Sequence, residues 1–155
     1  MEQQGDDQQR ERIAQLGMAC ICSNLRRAAR AVTNYYDGIL RRLYGLRFSQ
    51  FVVLVVLYLA GPQTINELAG LLALDRTTLT SNLKPLAREG LLALAPGEDQ
   101  RQRIATLTPH GEQTVLDALP HWEQAQAHMV AGMVPEQMSA FLAQLSQMVA
   151  RTQEP

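Results

Sequence analysis

Residues 75–103 read DRTTLTSNLKPLAREGLLALAPGEDQRQR, and the fold turns on this stretch. Asp75 is placed to cap a helix, since its carboxylate can accept from the free N–H of Thr77 or Thr78. Leu79, Leu83 and Leu86 follow at i, i+4 and i+7, which sets them on one buried face. The opposite surface holds Thr77, Ser81, Lys84 and Arg88, flanked by Arg76, Thr78, Thr80 and Asn82, with no carboxylate before Glu89. Short hydroxyls, an amide and cations on an exposed helix suit a major groove, where they meet base edges and phosphates. Gly90 ends the helix as a left-handed C′ residue would.

The second half of the stretch predicts a hairpin. Residues 91–94 (LLAL) and 104–107 (IATL) are short strand candidates, with turn-forming Pro96-Gly97-Glu98-Asp99 between them. Arg101 and Arg103 alternate, so both can leave one face, as the wing beside a reading helix requires. An arginine at such a tip reaches a phosphate or a narrow minor groove. Arg101 can also pair with Asp99 and orient the turn.

Upstream, Thr64 caps a short helix with Glu67 at N3 of a capping box, and Ile65, Leu68, Ala69 and Leu72 face inward. Three residues, Ala73, Leu74 and Asp75, separate it from the first-described helix, which makes a helix-turn-helix. Before it, Ser49 is the expected cap of an apolar helix over 50–59, ended by Gly61-Pro62. Residues 10–43 predict one long helix, with Ile21, Leu25, Ala28, Val32, Tyr35, Ile39 and Leu43 in one stripe. After the wing, Thr108, Pro109 and Glu112 suggest a second capping box, opening a helix towards His128 with Pro120 as a potential kink. Pro135 opens a last helix carrying Met138, Phe141, Leu142, Leu145, Met148 and Val149.

The architecture expected is mainly α with a small β-hairpin (α+β). A winged helix-turn-helix covers 46–107, and helical ends over 10–45 and 108–152 form a dimerisation region. The chain has 155 residues, 46% apolar but only 5% aromatic, which favours a helical Leu/Ala core. Net charge is −1, yet six arginines and one acid, Asp37, fall between Arg26 and Arg47. Local segregation of this kind can present a basic face on a neutral protein. The polar, acidic first residues do not resemble a secretory signal, and the apolar run 51–60 is half of the roughly 20 residues a membrane span needs. A cytoplasmic protein with no membrane partner is expected.

No Ser-His-Asp order, glycine-rich phosphate loop or HExxH motif occurs, so no enzyme is expected. His121 and His128 repeat two turns apart without a third ligand nearby, so neither a metal nor any other cofactor is expected. Cys20 and Cys22 would point about 200° apart on one helix and could not bridge there.

The order of elements, together with Asp99, Arg101, Leu107, Thr108 and Gly111 in the pattern D-x-R-x5-L-T-x-x-G, resembles the MarR family of winged-helix transcriptional regulators. Residues 74–92 are similar to that family's recognition-helix segment, although Ser81 stands where a basic residue is usual. The resemblance covers about residues 10–150 and implies a homodimer on double-stranded DNA, most simply a repressor on a pseudo-palindromic operator. Recognition helices would then sit one DNA turn apart, roughly 34 Å. It also implies an effector. One candidate is a small aromatic or phenolic ligand in a cleft with Tyr35, Tyr36, Tyr44, Arg47, Phe48 and Phe51, whose other role is core packing. The other is oxidation of Cys22, which falls where the hydroperoxide-sensing branch carries its reactive thiol. Phe48 and Phe51 replace tyrosines of that branch, which favours the ligand.

Overall fold

Tyr36 and Leu40 on one helix and Phe51, Leu54 and Leu57 on the next are buried, and the two helices pack against each other. The computed structural model describes residues 2–97 and 102–152, with side chains described from residue 9. The elements are α1 (Glu2–Ala19), α2 (Ile21–Tyr44), α3 (Phe48–Ala60), β1 (Gln63–Thr64), α4 (Ile65–Leu71) and α5 (Arg76–Arg88), then β2 (Leu92–Pro96), β3 (Arg103–Leu107), α6 (Pro109–Met129) and α7 (Pro135–Arg151). Two compact units divide the chain, Met1–Ala118 and Leu119–Pro155.

In the first unit the predicted hairpin is present, with Leu92 opposite Leu107 and Pro96 opposite Arg103. It carries a third strand that the sequence did not announce. β1 pairs with β3, Gln63 against Ala105 and Thr64 against Ile104, giving the order β1-β3-β2. Leu79, Leu83 and Leu86 of α5 are buried, as their spacing predicts, together with Leu68 of α4 and Leu91. The turn between α4 and α5 needs a left-handed residue, and Ala73 takes it at φ 49°.

Four local expectations change. The long first helix is two helices, because Cys20 is extended (φ −64°, ψ 109°). The Asn24 side-chain amide donates to the carbonyl of Met18 (2.8 Å) at the break, and also to that of Cys20 (3.0 Å), which keeps its helical donor Asn24 N–H. The apolar stripe of that region is mostly open in the protomer. Ile21 is 60% exposed and Val32 40%, while Tyr36 and Leu40 are the buried residues of α2.

α3 starts at Phe48, ahead of the expected Ser49 cap, with Arg47 at the N-cap position. Its first N–H groups are satisfied from elsewhere: Phe48 donates to the Asp37 carboxylate (2.6 Å), and Arg47 to the Gln50 side chain (2.9 Å). Finally, the second capping box does not form as expected. With Thr108 at the N-cap, N3 is Gly111, one residue before Glu112. Gly111 N–H donates to the Thr108 hydroxyl (3.0 Å), and Thr108 N–H goes to Leu91 O (3.2 Å).

α6 runs through Pro120 to Met129. In the second unit α7 has no buried residue among those described, and Phe141, Leu142 and Val149 are about half exposed. No single helix among the described residues is long and apolar enough to cross a membrane.

Candidate nucleic-acid interface

The presented element is α5. Asp75 accepts from Thr78 N–H (2.9 Å) and from the Thr78 hydroxyl (2.6 Å), so the predicted cap is made. Those bonds, the hydroxyl first, hold the Asp75 carboxyl below its usual range. The Thr78 hydroxyl proton is therefore committed to the cap. Thr80 donates to Arg76 O (2.7 Å) and Ser81 to Thr78 O (2.7 Å), the usual habit of helical hydroxyls facing outwards. Their oxygens can still accept, and Thr77, Lys84 and Arg88 stand exposed beside them. An open concavity of about 600 Å³ follows this surface, lined by Arg76, Thr77, Thr80, Ser81, Lys84 and Pro85. Arg88 lies farther along, 3.9 Å from Glu89.

α5 has two flanks. On the wing side, Arg76 and Arg103 line one hollow of about 190 Å³ with Thr64, Asn66 and Gln102. Arg103 is exposed at the turn end of the hairpin, opposite Pro96. Asp99 and Arg101, expected at the wing tip, lie outside the described residues. On the other flank the junction of α2 and α3 approaches Ser81, Asn82 and Pro85. Ser49 Oγ donates to Asn82 Oδ1 across that seam (3.3 Å). Asn66, Gln102 and Arg41 were not singled out from sequence, because their elements meet α5 only once folded.

The base of the wing is tied to α5 and α6 by Thr108. Its hydroxyl donates towards the carbonyls of Gly90 (2.7 Å) and Leu91 (3.1 Å) while accepting from Gly111 N–H. Gly111 is required there. A Cβ on it would stand 2.0 Å from Leu91 O and 2.7 Å from Leu107 Cδ1.

Of the residues expected to line a ligand cleft, Tyr36 and Phe51 are core, 5% and 4% exposed. Phe48 is half-buried, with its ring 5.0 Å from that of Tyr36. Burial pushes the Tyr36 phenol up. Tyr44 donates to Asp117 O (2.7 Å), a tie between α2 and the first half of α6. Tyr35 and Arg47 remain exposed. Cys20 sits at the N-terminus of α2, and the Ser23 N–H and hydroxyl hold its thiol below the usual range. Cys22 is exposed. Among the described residues no group of three or more His, Cys, Asp or Glu gathers to hold a metal ion.

A helix-turn-helix whose second helix stands out between two cationic flanks, followed by a stranded wing, defines a winged helix-turn-helix protein. The MarR family model matches residues 44–103. The chain is 34% identical to Mycobacterium tuberculosis MosR, a transcriptional regulator solved in complex with DNA; the match has a TM-score of 0.74 and covers 87% of this chain and 99% of that one. Bordetella bronchiseptica BpsR, whose DNA binding is regulated by 6-hydroxynicotinic acid, is similar at 27% identity and TM-score 0.75, covering 83% and 98%. The HTH-type transcriptional regulator MgrA of Staphylococcus aureus is 32% identical over 93 residues, 59% of this chain and 63% of the relative's length. The chain belongs to the MarR family.

Proposed function

We propose that this protein is a homodimeric transcriptional repressor that binds a pseudo-palindromic operator in the cytoplasm and is released by a small aromatic acid or phenol. The observation that carries DNA binding is the outward face of α5, where Thr77, Thr80, Ser81, Lys84 and Arg88 present hydroxyls and cations without a carboxylate. Arg76 and Arg103 supply backbone contacts beside it, and from sequence Arg101 is assigned to the minor groove, with Asp99 as its orienting partner. The dimer is supported by the open apolar faces of α1, α2 and α7: Ile13, Leu16, Ile21, Phe141 and Leu142 are each about half exposed or more. The ligand reading is supported by BpsR's response to an aromatic acid, and by Tyr35, Phe48 and Arg47, which offer rings and a cation at accessible positions.

Selection from random duplexes tests the function. The expected product is an inverted repeat with half-sites one turn apart, bound with strong salt dependence. Absence of any enriched site, or binding indifferent to salt, refutes it.

A specific observation favours a second effector reading. The helix break at Cys20 leaves a thiol of lowered pKa beside exposed Cys22. With the helix interrupted, the argument against a bridge on one continuous helix no longer applies. In this reading a thiolate attacks hydrogen peroxide, the O–O bond breaks, hydroxide leaves and takes a proton from solvent to become water, and the sulfenic acid formed weakens operator binding. Peroxide treatment of Cys20→Ser and Cys22→Ser separates the two: ligand-driven release survives both substitutions, whereas oxidative release fails in at least one.

A further inference from the structure

The flank of α5 away from the wing carries a notch of about 430 Å³, lined by Arg41, Arg47, Gln50, Ser81, Asn82 and Pro85. Its charge is one-sided. Arg41 is held by Asp37 at 3.0 Å, and that carboxylate is also occupied by Phe48 N–H. Arg47 is exposed and forms no ion pair among the described residues. The N-terminus of the 13-residue helix α3 lies beside it, its first N–H already taken by the Asp37 carboxylate, so the charge left to the notch is that of Arg47. Gln50, buried beneath, accepts from Arg47 N–H and fixes the backbone from which the Arg47 side chain leaves.

Position gives this notch its meaning. A helix seated in a major groove about 12 Å wide lies between two phosphate chains, so cations on its two flanks face different strands. The wing flank has Arg76 and Arg103. The opposite flank has this notch, sharing Ser81 and Pro85 with the outward surface of α5. We propose that the α2–α3 notch seats a DNA backbone phosphate, held chiefly by Arg47, on the strand opposite to the one met by the wing flank.

This rests on the DNA-binding reading above and extends it to a contact outside the reading helix and the wing. An effector carboxylate taken by Arg47 would exclude that phosphate, which gives ligand binding a direct route to DNA release.

The test uses the full chain and its selected operator. Each phosphate contact contributes about 0.9 to the slope of log K against log salt. Arg47→Gln is therefore expected to lower the slope by about 0.9 per protomer and to weaken binding several-fold, with sequence preference unchanged. Arg47→Lys, which keeps the charge, restores the slope. Arg42→Gln, on exposed α2 outside the notch, keeps it. A methylphosphonate scan of each operator strand should find one position per half-site where neutralising the phosphate costs the wild type but not Arg47→Gln. An unchanged slope for Arg47→Gln, or an equal fall for Arg42→Gln, overturns the proposal while leaving the function intact. If the wild type itself shows no salt-dependent duplex binding, the function is the part that fails.

Discussion

Replacing Gly111 by alanine adds a single methyl group, and the structure says where it goes. The new carbon would lie 2.0 Å from Leu91 O, 3.0 Å from Leu91 C and 2.7 Å from Leu107 Cδ1. A leucine methyl can swing aside; the Leu91 carbonyl cannot do so cheaply, since it accepts from Thr108 N–H (3.2 Å) and the Thr108 hydroxyl (3.1 Å). Ordinary carbon–oxygen contacts begin near ~3.3 Å, so α6 and the α5–β2 junction must part by more than about 1 Å. Overpacking of this kind costs about 1–3 kcal/mol, and each hydrogen bond lost adds about 1 kcal/mol. A destabilisation of roughly 3 kcal/mol follows, or about 6–12 °C in Tm for a chain of this size. Urea unfolding followed by far-UV circular dichroism and by the fluorescence of Trp122, the single tryptophan, measures it. Gly70→Ala is the control: nothing lies within 4 Å of its added carbon, and a helical alanine there should gain up to ~1 kcal/mol. A Gly111→Ala protein within about 0.5 kcal/mol of wild type would show that the tight contact at Leu91 is not real.

Arg101→Ala should weaken operator binding about tenfold or more, near 1.4 kcal/mol, with folding and assembly unchanged; a gel-shift titration matching wild type refutes this. Light scattering at micromolar concentration should give twice 17.2 kDa, and a species of 17.2 kDa would disprove the dimer. Acid should destabilise the helix-turn-helix through its two caps. The folded-state carboxyls of Asp75 and Glu67 are depressed, Asp75 chiefly by the Thr78 hydroxyl and Glu67 chiefly by Thr64 N–H. Their contribution is therefore present above the unfolded range, about 4, and lost as pH falls through the lowered folded values. Asp75→Asn keeps an acceptor at the cap and should flatten the acid limb of Tm against pH; an acid limb unchanged by that substitution would assign the effect elsewhere.

The helix-turn-helix was legible because its signals are local. Asp75 and Thr64 cap within three residues, and Leu79, Leu83 and Leu86 declare one face without help from the rest of the chain. Gly90 takes the left-handed backbone at φ 71°, as its place after α5 implied. What the sequence hid depends on distant partners. β1 is two residues long and exists through its pairing with β3. The break at Cys20 has no proline or glycine at it; it is supported by an asparagine four residues later that reaches back to the carbonyls. On α2, an apolar stripe marks a surface left open in the protomer, while Tyr36 and Leu40, beside that stripe, form the core. Arg47 looked like part of a ligand wall, and only the folded seam between α3 and α5 puts it beside Asn82. Gly111 was visible as a motif letter, but its reason, the carbonyl of Leu91, was not.

The Thr108 junction makes the first turn of α6, the base of the wing and the end of α5 a bell-crank pivoting on one hydroxyl. A rotation delivered to that turn of α6 would reach the end of α5 through the Thr108 bonds to Gly90 and Leu91. Re-aiming α5 then needs no loosening of Leu79, Leu83 or Leu86 against their neighbours. An effector acting by this linkage would spend its binding energy on swinging a rigid arm, and the amide protons of α5 would exchange no faster in the released protein than before.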